Sequence, residues 1–281
     1  MLISRRNWIA GGLSLAAAPR LLARGGLKIG VTDWNLRLAA KLEAVALAKK
    51  LGFEGVEVSL GRNVKENRLP LDDAAVLEKY RAEAKKQGIA LAGTCLDVLH
   101  VNYLKSDKLG QKWVADGIRL TKSLNAKVML LPFFGKGALS TRQEMDYVAD
   151  ILKDLGKEAE KAGVILGLED TISAEDNVRI MERSGSKAVK VYYDVGNSTN
   201  NGFDIYKEMR WLGAKRICQI HLKDKGYLGE GSIDFKRVLA VIRGIGYSGF
   251  ANLETSSPSK SVEADMKKNL AFIRRLLAEK S

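Results

Sequence analysis

From Lys28 onward, short apolar runs alternate with longer stretches whose apolar residues recur at helical spacing. The short runs predict eight strands: Lys28–Thr32, Gly55–Leu60, Ile89–Leu96, Lys127–Phe134, Val164–Glu169, Ala188–Asp194, Ile217–Lys223 and Phe250–Glu254. The longer stretches predict helices over Leu38–Leu51, Asp72–Gln87, Lys108–Leu124, Arg142–Ala162, Glu175–Arg183, Ile205–Leu212, Phe235–Ile245 and Val262–Ala278. Gly52, Gly88 and Gly163 stand just past three of these helices, where the chain turns left-handed at no steric cost.

Eight strand–helix units in 281 residues place the chain in the α/β class, as a single-domain (β/α)8 barrel over residues 27–281. The rival is an open, doubly wound sheet. It usually carries a nucleotide loop, and neither a G-x-G-x-x-G nor a Walker loop occurs here.

In such barrels the chemistry sits at the C-terminal ends of the strands. Strands five to eight end in, or carry near their ends, Glu169, Asp194, His221 and Glu254, spaced 25, 27 and 33 residues apart. That spacing is one strand–helix unit each time, so the four side chains share one rim. Taken singly, each fits a helix cap, a turn or a core position. Taken together, three carboxylates converging in a barrel mouth repel one another unless a cation neutralises them. Three oxygen ligands and one imidazole suit a single hard or borderline divalent ion, Mn²⁺ first, then Mg²⁺, Co²⁺ or Zn²⁺. His221 is one of only two histidines in the chain. Its strand-mates Ile220 and Leu222 point to the opposite face, toward the outer helices.

Other mouth residues follow from position. Lys223 shares the face of His221 and is placed to bind a substrate oxygen, or to lie at the surface. Trp34, past the first strand, and His100, past the third, either wall the mouth or pack beneath it. Glu230, in the tight Gly229–Gly231 loop, is expected near the mouth, where it would repel a phosphate.

The first residues follow a different pattern. Arg5-Arg6, Trp8, a mild apolar run over Ala10–Ala18 with an Ala-x-Ala end, and Pro19 resemble a twin-arginine export signal over residues 1–26. This predicts recognition by the twin-arginine export machinery and a periplasmic or secreted location. The net charge of +13 drops by four to +9 without Arg5, Arg6, Arg20 and Arg24. The remaining basic residues are spread over helices without interleaved aromatics, a solvated surface rather than a nucleic-acid interface. Cys95 and Cys218 lie in apolar strands and are expected to be buried free thiols.

The segments LGLED at 166–170, YYDVGN at 192–197, IHLKD at 220–224, LGEGSIDF at 228–235 and GYSGFANLE at 246–254 resemble the xylose-isomerase-like TIM barrel superfamily, the sugar phosphate isomerase/epimerase group. The resemblance covers residues 27–280. It implies that Glu169, Asp194, His221 and Glu254 bind one divalent metal, and that Glu169 and Glu254 are the catalytic acid/base pair. It also implies a carbohydrate substrate, with Glu175 touching sugar hydroxyls, and a fold whose members often form homodimers. Where ketose 3-epimerases of this family have a histidine three residues after the Asp ligand, this chain has Asn197, which hydrogen-bonds a hydroxyl but does not titrate near neutrality. DNA-repair endonucleases of the superfamily use many histidine ligands, and two histidines do not build that site. The expected activity is thus a metal-dependent isomerase or epimerase on a free sugar, keto-sugar or related polyol derivative. The alternatives are a lyase or dehydratase on a keto-sugar or keto-inositol, and a non-catalytic carbohydrate-binding barrel.

Overall fold

The computed structural model describes residues 26–279. Apart from Gly26, the export signal expected over residues 1–26 lies outside the described residues. Eight parallel strands close into one barrel in the order of the chain. They are β1 (Lys28–Thr32), β2 (Gly55–Ser59), β3 (Ala90–Cys95), β4 (Val128–Pro132), β5 (Ile165–Glu169), β6 (Val189–Asp194), β7 (Ile217–Leu222) and β8 (Phe250–Leu253). The closing seam pairs β1 with β8, Lys28 beside Phe250 through Val31 beside Leu253.

Helices α1 (Glu43–Leu51), α2 (Ala74–Gln87), α3 (Lys108–Ser123), α4 (Arg142–Ala162), α5 (Ala174–Ser184), α6 (Val195–Asn200), α7 (Ile205–Arg216), α8 (Phe235–Gly244) and α9 (Val262–Ala278) follow the strands. Their apolar stripes and the outward strand residues, among them Val56, Val58, Ile220 and Leu222, form one buried shell between barrel and helices. A smaller apolar cluster of Cys95, Val128, Leu130 and Tyr192 fills part of the barrel interior. Glycine makes room for the larger polar residues inside: a Cβ on Gly30 would collide with the Asn252 amide across the seam. Cys95 and Cys218 are both free thiols.

Two departures from the sequence expectation bear on the site. The first helix begins at Glu43 rather than Leu38. Asp33 is the cause: its Oδ2 accepts the N–H of Ala40 at 3.0 Å and that of Ser59 at 2.9 Å, holding residues 33–42 as turns that tie β1 to β2. Helix α6 was not expected. It starts directly after β6 because the Asp194 carboxylate caps it.

Candidate functional site

His221 lies on β7 with its ring fully buried. Its Nδ1 is 2.8 Å from Glu169 Oε1, 3.7 Å from Glu254 Oε2 and 3.9 Å from Asp194 Oδ2. One ligand atom from each of these four residues lies within 4.8 Å of all the others. Strand register produces this convergence: Asp194 stands beside His221 across β6 and β7, and Glu254 follows directly on β8. The structure brings together the four residues that the strand-end spacing picked out.

The two oxygens of Asp194 differ. Oδ1 accepts the N–H groups of Gly196 and Asn197 at 2.7 and 2.8 Å, which fixes the carboxylate. Oδ2 is buried and accepts no hydrogen bond from the described residues. A bare buried carboxylate oxygen is costly, and a cation among these donors is what relieves it. Three carboxylates and one imidazole Nδ1, packed this closely, fit one divalent ion. Glu169, Asp194, His221 and Glu254 are the residues that could hold it.

The electrostatics show how crowded these acids are. Burial pushes Asp194 up to about 8 and raises Glu169. Burial also acts to raise Glu254, but the charges of His221 and Lys223 outweigh it and hold this carboxyl at about 2. Burial disfavours the imidazolium of His221, yet Glu169, Glu254 and Glu57 together lift it well above the ordinary imidazole value. Lys223 and His221 are the positive charges that offset the acids.

The other expected mouth residues divide. Trp34 lines the cavity and donates its Nε1–H to Glu254 Oε1 at 2.9 Å. Lys223 also lines it, but its Nζ is engaged: 2.6 Å from Glu254 Oε2, 3.5 Å from Asp194 Oδ2 and 3.3 Å from Asn197 Oδ1. It positions acids at least as much as it faces a ligand. Asn197 reaches Glu169 Oε1 at 3.5 Å, and His100 lines the cavity stacked on Phe134. Glu175 does not reach the site. It is exposed in the first turn of α5 and is absent from the cavity wall, where its charge complements the unpaired N–H groups of the helix start. Glu230 is likewise absent from the wall and pairs with Lys268 at 2.8 Å. The cavity itself encloses about 890 Å³.

The description of one protein family, xylose isomerase-like TIM barrel, matches residues 45–276. The chain belongs to this family. Within it, the 2-epi-5-epi-valiolone 7-phosphate 2-epimerase of Actinoplanes sp. is 25% identical over 231 residues, covering 77% of this chain and 82% of that protein. The inosose dehydratase of Geobacillus thermodenitrificans is 28% identical over 158 residues, 45% of this chain and 52% of that protein, so the match spans about half its length. Among solved structures, the D-psicose 3-epimerase of Clostridium cellulolyticum superposes with a TM-score of 0.74 at 16% identity, covering 89% of this chain and 99% of that one.

In this xylose isomerase-like barrel the strand ends were legible, but one residue below them was not. Glu57 lies mid-strand on β2, fully buried. Its Oε2 accepts from Tyr192 Oη at 2.6 Å and Asn252 Nδ2 at 2.9 Å, and lies 3.0 Å from His221 Nε2. With Nε2–H donated to Glu57, Nδ1 is the ring nitrogen turned toward the acids, and a bound cation would take the place of its proton there, the orientation a metal ligand needs. Gln219 closes the network by accepting from Asn252 at 3.3 Å. The available signal was a lone charged residue between Val56 and Val58, whose alternation aims it into the barrel.

Proposed function

We propose that this chain is a divalent-metal-dependent epimerase or isomerase of a polyhydroxylated ketone, a keto-sugar or a related polyol derivative. The observation that carries this reading is the convergence of Glu169, Asp194, His221 and Glu254 beside a cavity of about 890 Å³, with the buried Asp194 Oδ2 accepting no hydrogen bond from the described residues although Lys223 Nζ stands 3.5 Å away. The Actinoplanes relative is named as a 2-epi-5-epi-valiolone 7-phosphate 2-epimerase, which supports the same reaction class. A divalent cation bound there, Mn²⁺ being the first choice, would polarise a substrate carbonyl and favour loss of a proton from the adjacent carbon.

The chain's own residues supply the rest. Glu169 and Glu254 reach the cavity from strands three places apart in the barrel and act as the proton-transfer pair. One takes the proton from the carbon beside the carbonyl, and the other returns one to the opposite face or the neighbouring carbon. In the reverse reaction they exchange roles. Trp34 and Lys223 each hold one oxygen of Glu254, so that carboxylate is aimed before substrate arrives. Asn197, between Glu169 and Lys223, is placed to hydrogen-bond a hydroxyl. His100 and Phe134, stacked on each other, also line the cavity.

The test is incubation of the metal-loaded protein with a panel of ketoses and keto-inositols in D₂O. Deuterium next to the carbonyl, with the epimer or isomer as product, is the expected result. No exchange across the panel overturns the proposal. The inosose dehydratase relative favours a second reading, elimination after the same proton removal, and a product lighter by one water identifies it. Residues 1–26 support export by the twin-arginine route. A signal in the periplasmic fraction that disappears when Arg5 and Arg6 become Lys is the corresponding check.

A further inference from the structure

Across the mouth from the three acids and His221, the cavity is walled by the segment 61–70 that joins β2 to α2. In the closed strand order β2 stands opposite β6, which carries Asp194. The segment has a fixed shape. Gly61, with φ +89°, turns the chain out of β2 where a Cβ would strike the ring of Pro70, so the two ends of the segment touch. Val64 packs on the outer apolar shell and Leu69 is buried in it.

Between these anchors, Lys65 and Arg68 form an antiparallel bridge. Lys65 N–H donates to Arg68 O at 3.1 Å, and Arg68 N–H to Lys65 O at 2.8 Å. The turn between them has positive φ at both Glu66 and Asn67, the pattern of a type I′ turn. Directly opposed residues of an antiparallel pair project on the same face. Here both line the cavity, and Arg62 joins them, whereas the Glu66 carboxylate does not.

Arg62 Nε is 3.8 Å from Asp97 Oδ2, and Asp97 is itself held by Ser59 Oγ and the Gly61 N–H. Lys65 and Arg68 make no ion pair among the described residues. Two cations with no carboxylate partner, paired on a braced hairpin and facing a cavity, form a receptor for negative charge.

We infer that Arg62, Lys65 and Arg68 form an anion-binding arm that takes a phosphate or carboxylate group on the substrate, at the end remote from its carbonyl. The reacting end is the one held by the Glu169–Glu254 group, so the placement rests on the function proposed above. A cavity of about 890 Å³ has room for a sugar-sized ring and a charged group beyond it. The objection raised by Glu230 at the sequence level falls away, since that residue is tied to Lys268 off the cavity wall.

The test is titration calorimetry of the full-length protein with inorganic phosphate and, separately, acetate. Three forms are compared: wild type, the Lys65→Ala/Arg68→Ala double variant, and His221→Ala. Phosphate binding that persists in His221→Ala and weakens at least about tenfold in the double variant is expected. Acetate binding with the same dependence, stronger than phosphate, would identify a carboxylate as the group. Binding of neither anion to the wild type, or phosphate binding lost in His221→Ala and retained in the double variant, overturns the arm. No turnover is read. Failure of the arm therefore leaves deuterium exchange intact, and failure of exchange leaves anion binding intact.

Discussion

The half of the mouth made by β5 to β8 differs from the half made by β1 to β4 in where its chemistry is rooted. Glu169, Asp194 and His221 lie on their strands, and Lys223 and Glu254 lie one residue beyond theirs. Trp34, Arg62, Lys65, Arg68 and His100 come instead from the connections that follow β1, β2 and β3. A side chain on a strand inherits its direction from the barrel's hydrogen bonds, which suits groups that must converge within a few ångströms. A side chain on a connection can change without disturbing the barrel, which suits groups that select among substrates. On the proposed function, the difference separates a reacting end rooted in strands from a recognising end rooted in connections.

The largest expected effect tests the reacting end. His221→Ala should lower Mn²⁺ affinity by more than about 100-fold, beyond the range of changes to outer-shell groups. Equilibrium dialysis with elemental analysis reads it. An affinity within about tenfold of wild type would mean that the strand ends do not form one centre. Glu57→Gln removes the charge that receives His221 Nε2–H, and should weaken Mn²⁺ about 10- to 100-fold with the fold retained. An unchanged affinity there would confine the centre to the rim.

Trp34→Phe crosses from one half to the other, because it cuts the bond from the β1 connection to Glu254. A hydrogen bond to a charged group contributes about 1.5–3 kcal/mol, so turnover should fall at least about tenfold while metal content stays at the wild-type level. Loss of metal as well would place Trp34 among the supports of the centre rather than of proton transfer.

The smallest effect concerns stability. Burial first, then the charge of Arg62, hold His100 below the ordinary imidazole value, against the pull of Glu254. The folded protein therefore binds fewer protons than the unfolded chain just below about pH 6.5. The stability from keeping His100 neutral is complete above that pH and is lost as pH falls through the folded value. His100→Gln should flatten this decline in urea midpoints measured on either side of about pH 6. An identical slope in both proteins would show that His100 is not desolvated by the mouth.

The same division explains what the sequence disclosed. Strand-end acids recur once per strand–helix unit, and a one-dimensional spacing of 25, 27 and 33 residues maps directly onto neighbouring staves. The barrel and its strand order were legible for the same reason. Glu57 was not, because its partners Tyr192, His221 and Asn252 lie 135 to 195 residues away, a proximity created only by closure. The late start of α1 depends on the Asp33 carboxylate capturing Ala40 and Ser59, a tertiary contact that overrides local periodicity. The Lys65–Arg68 hairpin was hidden because its left-handed turn is made by Glu66 and Asn67, without the glycine that usually announces one. Glu175 was misplaced because an acidic residue in a first helical turn serves the helix equally well wherever the turn points.

The seam between β1 and β8 bears on the order in which the molecule can be made. Trp34 meets Glu254, and Asn35 meets the Thr255 carbonyl, across 220 residues of chain. A nascent chain that has not yet released β8 from the ribosome has seven staves, an open edge on each side and one acid missing from the rim. The first strand must wait for the last. Closure depends on the meeting of the two ends, and a barrel short of β8 leaves a strand edge unpaired on each side.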